Sequence, residues 1–561
     1  MNSHDEAKSL LIQATGKLGV MNIDVSISLE YPTNSEFGDI ASNLAFILAK
    51  KMRVSPIEAA DLLIKEMKSM PQKDIENISI ADPGFINFHF KRDFFTTSIK
   101  NILAAGTEWG RSRNLLGSRY VVEKSAPNLF KPFHVGHLLN ISIGESLSRL
   151  FTFCGAKVLA IAYPSDISLG VAKAIWALLH SNKNTELSVS VLGEAYVFGT
   201  KMYDSDPEAK KAIDVIVKKL YEHDPGDEWE IYIKGREINL EYFKEITHRL
   251  DSVFDEYIFE SDAGIVGRDI VLANVPNVFE RSKDTIIFNG TNYGLHTRVF
   301  LTGRGLPVYE TKDIGLLKIK FDRYKPDLSL VITDIEQKQY FEVIKKAASL
   351  INPLWAQHSI YWQHGRLRFE GGKISSRYGN VPLAEDVLDE VKKHIQEKII
   401  NLRDKNHQAG DSLVESVALG ALKYSFLRVK SGKNIIFDLE KSISLDGDSG
   451  PYLQYAYARA NSLLERSGKE PEFENIPSVV SEFEKLLPRF VEVVEKSSTE
   501  FEPHHLVLYL TDLASAFNTW YSSVKVIDSE YEGYYLSLVK AFAITMKNGL
   551  ALLGIPSPEK M

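Results

Sequence analysis

Two histidines three residues apart, His134 and His137, stand in the stretch VVEKSAPNLFKPFHVGHLLNISIG, residues 121–144, with Gly136 between them. Imidazole N–H groups at a helix start can donate to phosphate oxygens, and the helix dipole adds partial positive charge there. Gly136 leaves room for a nucleotide to lie against the backbone. Lys131, three residues before His134, adds a cation to the same loop. Far downstream, GGKISSRYGN, residues 371–380, gathers Lys373, Ser375, Ser376 and Arg377 among glycines. Such a cationic, donor-rich loop suits a triphosphate. HVGH by itself fits a capped helix start with solvated histidines better than a phosphate site; the second stretch tips the balance toward phosphate chemistry.

These groups need a frame that aims them at one point. Val121 and Val122 close a β-branched run that fits a buried strand, and a turn with Pro127, Asn128 and Pro132 follows. Leu138, Leu139, Ile141, Ile143, Leu147 and Leu150 then recur at helical spacing. Gly155-Ala156 ends that helix and Lys157 to Ala162 reads as a second strand, so the pattern predicts a parallel βαβ unit. Asp327 to Asp334 and Ser359 to Gln363 are further strand candidates. YPSDISL, residues 163–169, and the segment Glu336 to Phe341 follow strands at their carboxyl ends, where α/β proteins bind ligands.

Elsewhere the texture changes. Residues 1–105 read as a small α+β domain: a capping box at Ser55-Pro56-Ile57-Glu58, a helix over Ile40 to Met52, and a strand pair, Ile75 to Ala81 and Phe85 to Phe90. Residues 106–118 are glycine-rich and read as a linker. Residues about 180–260 are rich in Lys, Glu and Asp, with helical periodicity in Ala209 to Tyr221 and Leu240 to Phe254; they predict a helical insertion of mostly solvated faces. The nucleotide fold is expected to resume over residues 294–315, and Leu383 to Leu402 to form a long amphipathic helix leading out of it. From Asp411 onward the pattern is helical.

At 561 residues the chain exceeds one core, and three or four domains are expected. No apolar run reaches the length of a membrane span, and MNSHDEAKSLL lacks the layout of a signal peptide. The single cysteine, Cys154, excludes an internal disulfide and a multi-cysteine zinc site; its apolar surroundings predict a core thiol. These features favour the cytoplasm. The net charge of −8 weighs against a nucleic-acid partner unless a basic face is local.

The pair of stretches resembles the HIGH and KMSKS signatures of class I aminoacyl-tRNA synthetases. SAPNLFKPFHVGH, GLHTRVF, GLPVYETKD, GGKISSRYGNV and SGPYLQYAYARA resemble blocks of the arginyl-tRNA synthetases, and the likeness runs from FGDIASNLA to the closing LLGIPSPEKM. The resemblance implies a multidomain α/β chain: an N-terminal α+β tRNA-contacting domain (1–105), a Rossmann-like parallel-sheet catalytic domain (106–390) with the helical insertion, and a C-terminal all-α anticodon-binding bundle (391–561). It implies ligation of L-arginine to tRNA(Arg) through an arginyl-adenylate, with ATP and its Mg²⁺, in a monomer. The implied catalytic residues are Lys131, His134, His137 and Lys373. ATP would meet Phe133, His134, Gly136, His137, Lys373, Ile374, Ser375, Ser376 and Arg377.

By position, the family's arginine ligands fall on Glu123, Asn128, Tyr309, Asp313 and Gln337. Tyr309 and Asp313 share a helix face if YETKD opens a helix. A planar guanidinium calls for carboxylates and in-plane acceptors, so Glu123 and Asp313 are expected to divide the guanidinium and the α-ammonium, in an order the sequence leaves open. Phe37, Gly38 and Asp39, with Tyr452, Gln454, Tyr455 and Arg459, are the implied tRNA contacts; aromatics with polar tips and an arginine can stack on unpaired bases. No protein metal site is implied.

Two departures from the family pattern stand out. Ser165 and Ser168 replace the glycines of a Gly-Asp-x-Gly motif around Asp166, which puts Asp166 in question as a substrate contact. Ser376 replaces the second lysine of KMSKS, and Lys131 is expected to supply that charge from the opposite loop. The rivals are a class I synthetase for another amino acid, a non-catalytic tRNA-binding paralogue and a general nucleotidylyltransferase.

Overall fold

The computed structural model describes residues 3–20, 27–32, 34–181, 186–370, 382–402 and 410–561. Lys373, Ile374, Ser375, Ser376 and Arg377 lie outside the described residues.

The N-terminal elements are α1 (Ser3–Lys17), β1 (Leu29–Glu30), β2 (Ile40–Ser42), α2 (Leu44–Met52), α3 (Pro56–Lys68), β3 (Ile75–Ala81), β4 (Phe85–Phe90) and α4 (Arg92–Ala105). The capping box forms as expected: Ser55 accepts from the Glu58 N–H while the Glu58 carboxylate accepts from the Ser55 N–H at 2.8 Å. The strands make an antiparallel sheet in the order β1-β2-β4-β3. The helix expected from Ile40 begins only at Leu44. Ile40 and Ser42 are buried and pair with Phe88 and Ile86 of β4. A three-residue strand running into a helix mimics helical spacing.

β5 (Arg119–Ser125), α5 (Val135–Phe153), β6 (Lys157–Ala162) and α6 (Leu169–Leu179) make the βαβ unit. The insertion is α7 (Val189–Ser205), α8 (Pro207–Glu222) and α9 (Asp227–Arg249). The helix expected over Leu240 to Phe254 is only the end of α9, since the chain leaves the helix at Leu250 and Asp251 takes a left-handed φ of 48°. Next come β7 (Glu256–Tyr257) and α10 (Glu260–Ala273), then β8 (Glu280–Ser282), β9 (Thr285–Phe288) and β10 (Arg298–Leu301). These last three form a separate antiparallel sheet, so GLHTRVF does not resume the nucleotide fold. Phe300 and Leu301 are buried with Phe279 and Phe288, and four apolar-leaning residues carry no label of the sheet they join.

The main sheet is completed after α11 (Tyr309–Tyr324) by β11 (Leu328–Asp334), α12 (Lys338–Ile351), α13 (Pro353–Gln357) and β12 (Ser359–His364). Its order is β12-β11-β5-β6-β7, all parallel. The winding reverses between β5 and β11, which opens a crevice at their carboxyl ends.

β13 (Leu367–Phe369), α14 (Ala384–Leu402), α15 (Asp411–Leu427) and β14 (Ile435–Phe437) lead outward, and β13 pairs in parallel with β14. The remaining helices are α16 (Leu439–Ser442), α17 (Gly450–Ser467), α18 (Glu482–Leu486), α19 (Phe490–Thr499), α20 (His504–Ser523) and α21 (Glu532–Leu552). One hydrophobic core runs from α5 through α15, α17, α20 and α21, with Cys154 buried in it. Among the described residues, no helix is long and apolar enough to cross a membrane.

Candidate active site

His134 is the N-cap of α5, and its Nδ1 accepts from the Gly136 N–H at 3.1 Å. A backbone N–H only donates, so that nitrogen is unprotonated and the ring proton sits on Nε2. Burial and then the Lys131 charge push His134 below the usual imidazole range; burial, His134 and Lys131 push His137 well below it. Both rings are therefore neutral at pH 7, and each keeps an N–H to give. Their centroids lie 4.3 Å apart. A Cβ on Gly136 would come within 2.8 Å of the His134 ring, so the glycine makes room for the capping imidazole as well as for a ligand. Phe133, expected at the nucleotide, is a correction. Its ring stacks on Tyr242 at 5.2 Å and meets Phe243 edge-on, so this side chain belongs to the core.

The loop before α5 pairs with residues 382–384. The Val135 N–H donates to the Pro382 carbonyl at 3.0 Å, the Ala384 N–H donates to the Phe133 carbonyl at 2.9 Å, and His134 bridges Leu383. In sequence, residues 382–384 come shortly after the second stretch, which lies outside the described residues. The insertion supports the same loop. Gly193 of α7 packs on Pro132, Gly235 of α9 packs on the Phe130 ring, and Tyr196 of α7 places its ring centroid 5.7 Å from Lys131 Nζ.

At the crevice, four carboxylates gather on one side of the sheet. Glu123 takes Lys320 Nζ at 2.5 Å. Glu260 takes Lys312 Nζ at 2.6 Å, and Lys312 also donates to the Ile167 carbonyl at 2.7 Å. Asp166 is fully buried and accepts from the Ser261 N–H (2.9 Å), the Ser261 hydroxyl (2.7 Å) and Tyr232 (2.8 Å), with Arg236 at 3.7 Å. Its lone pairs are spent within the fold, so Asp166 is a framework group. Asp313 has no cationic partner among the described residues; it accepts only from Tyr340 Oη, at 2.5 Å. Burial raises the Asp313 carboxyl to about 8 against the Tyr340 hydrogen bond, and the Glu123 and Glu260 charges add to the rise. Tyr163, buried at the same place, has a hydroxyl with no partner among the described residues. A group of carboxylates, one of them lacking a cation among the described residues, suits a cationic ligand.

Tyr309 and Asp313 lie one turn apart on α11, as their spacing predicts, with Tyr309 half-exposed at the rim over Lys312. Asn128 and Gln337 sit exposed at the carboxyl ends of β5 and β11, flanking the crevice. Asn128 bridges Ser165 through its backbone, and the Gln337 side-chain oxygen accepts from Thr333. The two serines of YPSDISL are both used: Ser165 donates to Glu260 at 2.8 Å and Ser168 caps α6. Glu260 carries no sequence signal, since it opens α10 after a two-residue strand.

The expected tRNA contacts divide. Phe37 and Tyr455 are exposed. Tyr452 and Arg459 are half-buried and both bound to Asn518, at 3.1 and 3.0 Å. Gly38, Asp39 and Gln454 are corrections. Gly38 is buried at φ 119°, where a Cβ would strike the Phe88 carbonyl. The Asp39 carboxylate accepts from the Phe90 N–H at 2.8 Å and holds Lys485 at 3.1 Å. Gln454 is fully buried and donates to the Ser416 and Pro556 carbonyls.

Comparison with known proteins agrees with this geometry. Residues 98–439 match the model of the class I (R) tRNA synthetase catalytic domain, residues 5–90 the arginyl-tRNA synthetase N-terminal domain, and residues 453–561 the DALR anticodon-binding domain. Crevice, paired signatures and helical C-terminus thus define a class I aminoacyl-tRNA synthetase. The chain is 30% identical to the arginine–tRNA ligase of Clostridium perfringens over 95% of its own length and 96% of the relative's. It is 28% identical to that of Clostridium acetobutylicum over 99% and 100%. The arginyl-tRNA synthetase structure from Thermus thermophilus superposes with a TM-score of 0.81 at 25% identity, covering 99% of each chain. The chain belongs to the arginyl-tRNA synthetase family.

Proposed function

We propose that this chain ligates L-arginine to tRNA(Arg) in two steps. The arginine carboxylate attacks the α-phosphorus of ATP, which enters with Mg²⁺, and the bond to pyrophosphate breaks. A terminal ribose hydroxyl of the tRNA then attacks the carbonyl carbon, and AMP leaves. Alignment and charge stabilisation carry such chemistry. In this reading the N–H groups of His134 and His137 donate to phosphate oxygens. Lys131, which makes no ion pair among the described residues, supplies the charge that Ser376 lacks. Lys373, Ile374, Ser375, Ser376 and Arg377 keep the role the family signature implies, on the leaving phosphates.

The observation that carries the choice of amino acid is Asp313, the one pocket carboxylate without a cation among the described residues. It takes the guanidinium, with Tyr309 at the rim, while Glu123, Asn128 and Gln337 are left for the α-amino end. Residues 1–105 and 391–561 are the tRNA-contacting domains around the catalytic 106–390, in a cytoplasmic monomer, with Phe37, Tyr452, Tyr455 and Arg459 as the remaining tRNA contacts. The test is pyrophosphate exchange into ATP with each amino acid, with and without total tRNA. Exchange with arginine alone is expected, and only when tRNA is present. Exchange with another amino acid would overturn the pocket assignment, and none with any would make the chain a non-catalytic binder.

A further inference from the structure

Tyr340 lies in the first turn of α12, with its hydroxyl 2.5 Å from Asp313. Behind its ring stands Arg298 of β10, whose guanidinium carbon is 5.1 Å from the ring centroid and whose NH1 is fixed by Glu310 at 2.9 Å. Tyr340 thus stands between Asp313 of α11 and Arg298 of β10. The groups that face Asp313 are Glu123 from β5, Tyr163 after β6, Glu260 from α10, Tyr340 from α12, Tyr361 from β12 and Lys320 on its own helix. Two are acids and three are phenols, and Lys320 is already held by Glu123.

We propose that Tyr340 is a positioning residue for the amino-acid substrate: it aims the Asp313 carboxyl at the cation site, where that carboxyl holds a proton until arginine enters and binding expels it to solvent. The inference rests on the arginine reading above. Neighbouring carboxylates in a buried site cannot all ionise without a matching cation. Burial and these neighbours push Asp313 up to about 8. An entering guanidinium is charged at every working pH and brings the missing positive charge. The Asp313 O–H bond then breaks, the proton passes to buffer, and the carboxylate accepts guanidinium N–H groups while keeping the Tyr340 hydrogen bond. A phenol that already donates to one oxygen leaves the other free for the fork.

The test is calorimetric titration of the full chain with L-arginine, with and without total tRNA, in two buffers of different ionisation heat. Release of close to one proton per arginine is expected at pH 7. Arginine Kd should fall about tenfold per pH unit and level off above about 8. Asp313→Asn should release none. Tyr340→Phe removes a hydrogen bond that favours the carboxylate, so its Kd at pH 7 should weaken about tenfold and largely recover at higher pH. The exchange rate at saturating arginine should change less than about threefold. A purely structural role would lose affinity equally at every pH. Arginine binding to the unaltered chain without proton release at pH 7, or a pH-independent loss in Tyr340→Phe, would overturn the inference and leave the arginine reading standing. No arginine binding under either condition would overturn both.

Discussion

Glu123 and Lys124 are consecutive residues of β5 and therefore point to opposite faces of the sheet. Glu123 looks toward α11, where it meets Lys320. Lys124 looks toward α5 and the C-terminal helices, where Gly144 lets α5 close on it. There Lys124 meets Glu145 at 2.6 Å, Ser252 at 3.0 Å and the Val253 carbonyl at 2.5 Å. Arg149 holds Glu145 at 2.7 Å and Asp251 at 2.9 Å, and donates to the Ala551 carbonyl. Lys423 donates to the Leu250 and Gly554 carbonyls, beyond the ends of α9 and α21. A cavity of about 550 Å³ opens on this side, yet Lys124, Glu145 and Arg149 on its wall are already paired with one another. The difference between the faces is one of completion. On the seam every cation has its oxygens within the fold, and carbonyls at helix ends suit positive charge. In the crevice, Asp313 is left without a cation among the described residues.

The largest effect should come from unmaking the open side. Asp313→Asn should lower kcat/KM for arginine in pyrophosphate exchange by about a thousandfold, because a guanidinium would then be buried without its counter-charge. Retained exchange would show that Glu123 or Glu260 carries the guanidinium. Lys131→Ala should slow activation about a hundredfold while leaving arginine Kd unchanged. A rate near that of the unaltered chain would mean that the charge lost at Ser376 is replaced elsewhere.

On the closed side, Glu145→Gln leaves Lys124 and Arg149 short of their acid. It should cost about 3–5 kcal/mol of stability in denaturant unfolding, with arginine Kd unchanged. A parallel loss of arginine affinity would show that the two faces are coupled through β5.

The faces should also answer pH with opposite signs. Asp313 sits at about 8 in the folded chain against an ordinary 3.8, so its contribution to stability is lost as pH rises through about 8. Burial lowers Lys423 to about 7 from 10.5, so its contribution is present above the unfolded value and lost as pH falls through about 7. Asp313→Asn should flatten the first slope and Lys423→Met the second, read from unfolding midpoints across pH. The smallest effect expected is Ser168→Ala, about 1 kcal/mol from one lost helix cap; a much larger loss would tie that cap to the pocket.

The site was legible where chemistry follows from local spacing. HVGH opens a helix, Tyr309 and Asp313 share one turn, and Ser55 to Glu58 closes its capping box. Each depends on residues within one turn of one another. Gln454 and Tyr455 show the opposite case. They are adjacent in one helix, yet one is buried against Pro556 and the other is exposed, and only packing decides which. Asp39, an expected tRNA contact, is instead held by Lys485, 446 residues further along the chain (485 − 39).

By itself the sequence determined the strand–turn–helix unit, the start of α5 at HVGH, the helical C-terminus and the family to which they belong. These are set by hydrophobic period, caps and turn residues, which act over a few positions. Tertiary structure alone decided which acids are already neutralised. Lys320 reaches Glu123, and Lys312 reaches Glu260, across gaps of 197 and 52 residues. An ion pair is a contact in space, and no local spacing records which cation the fold will bring to a given carboxylate.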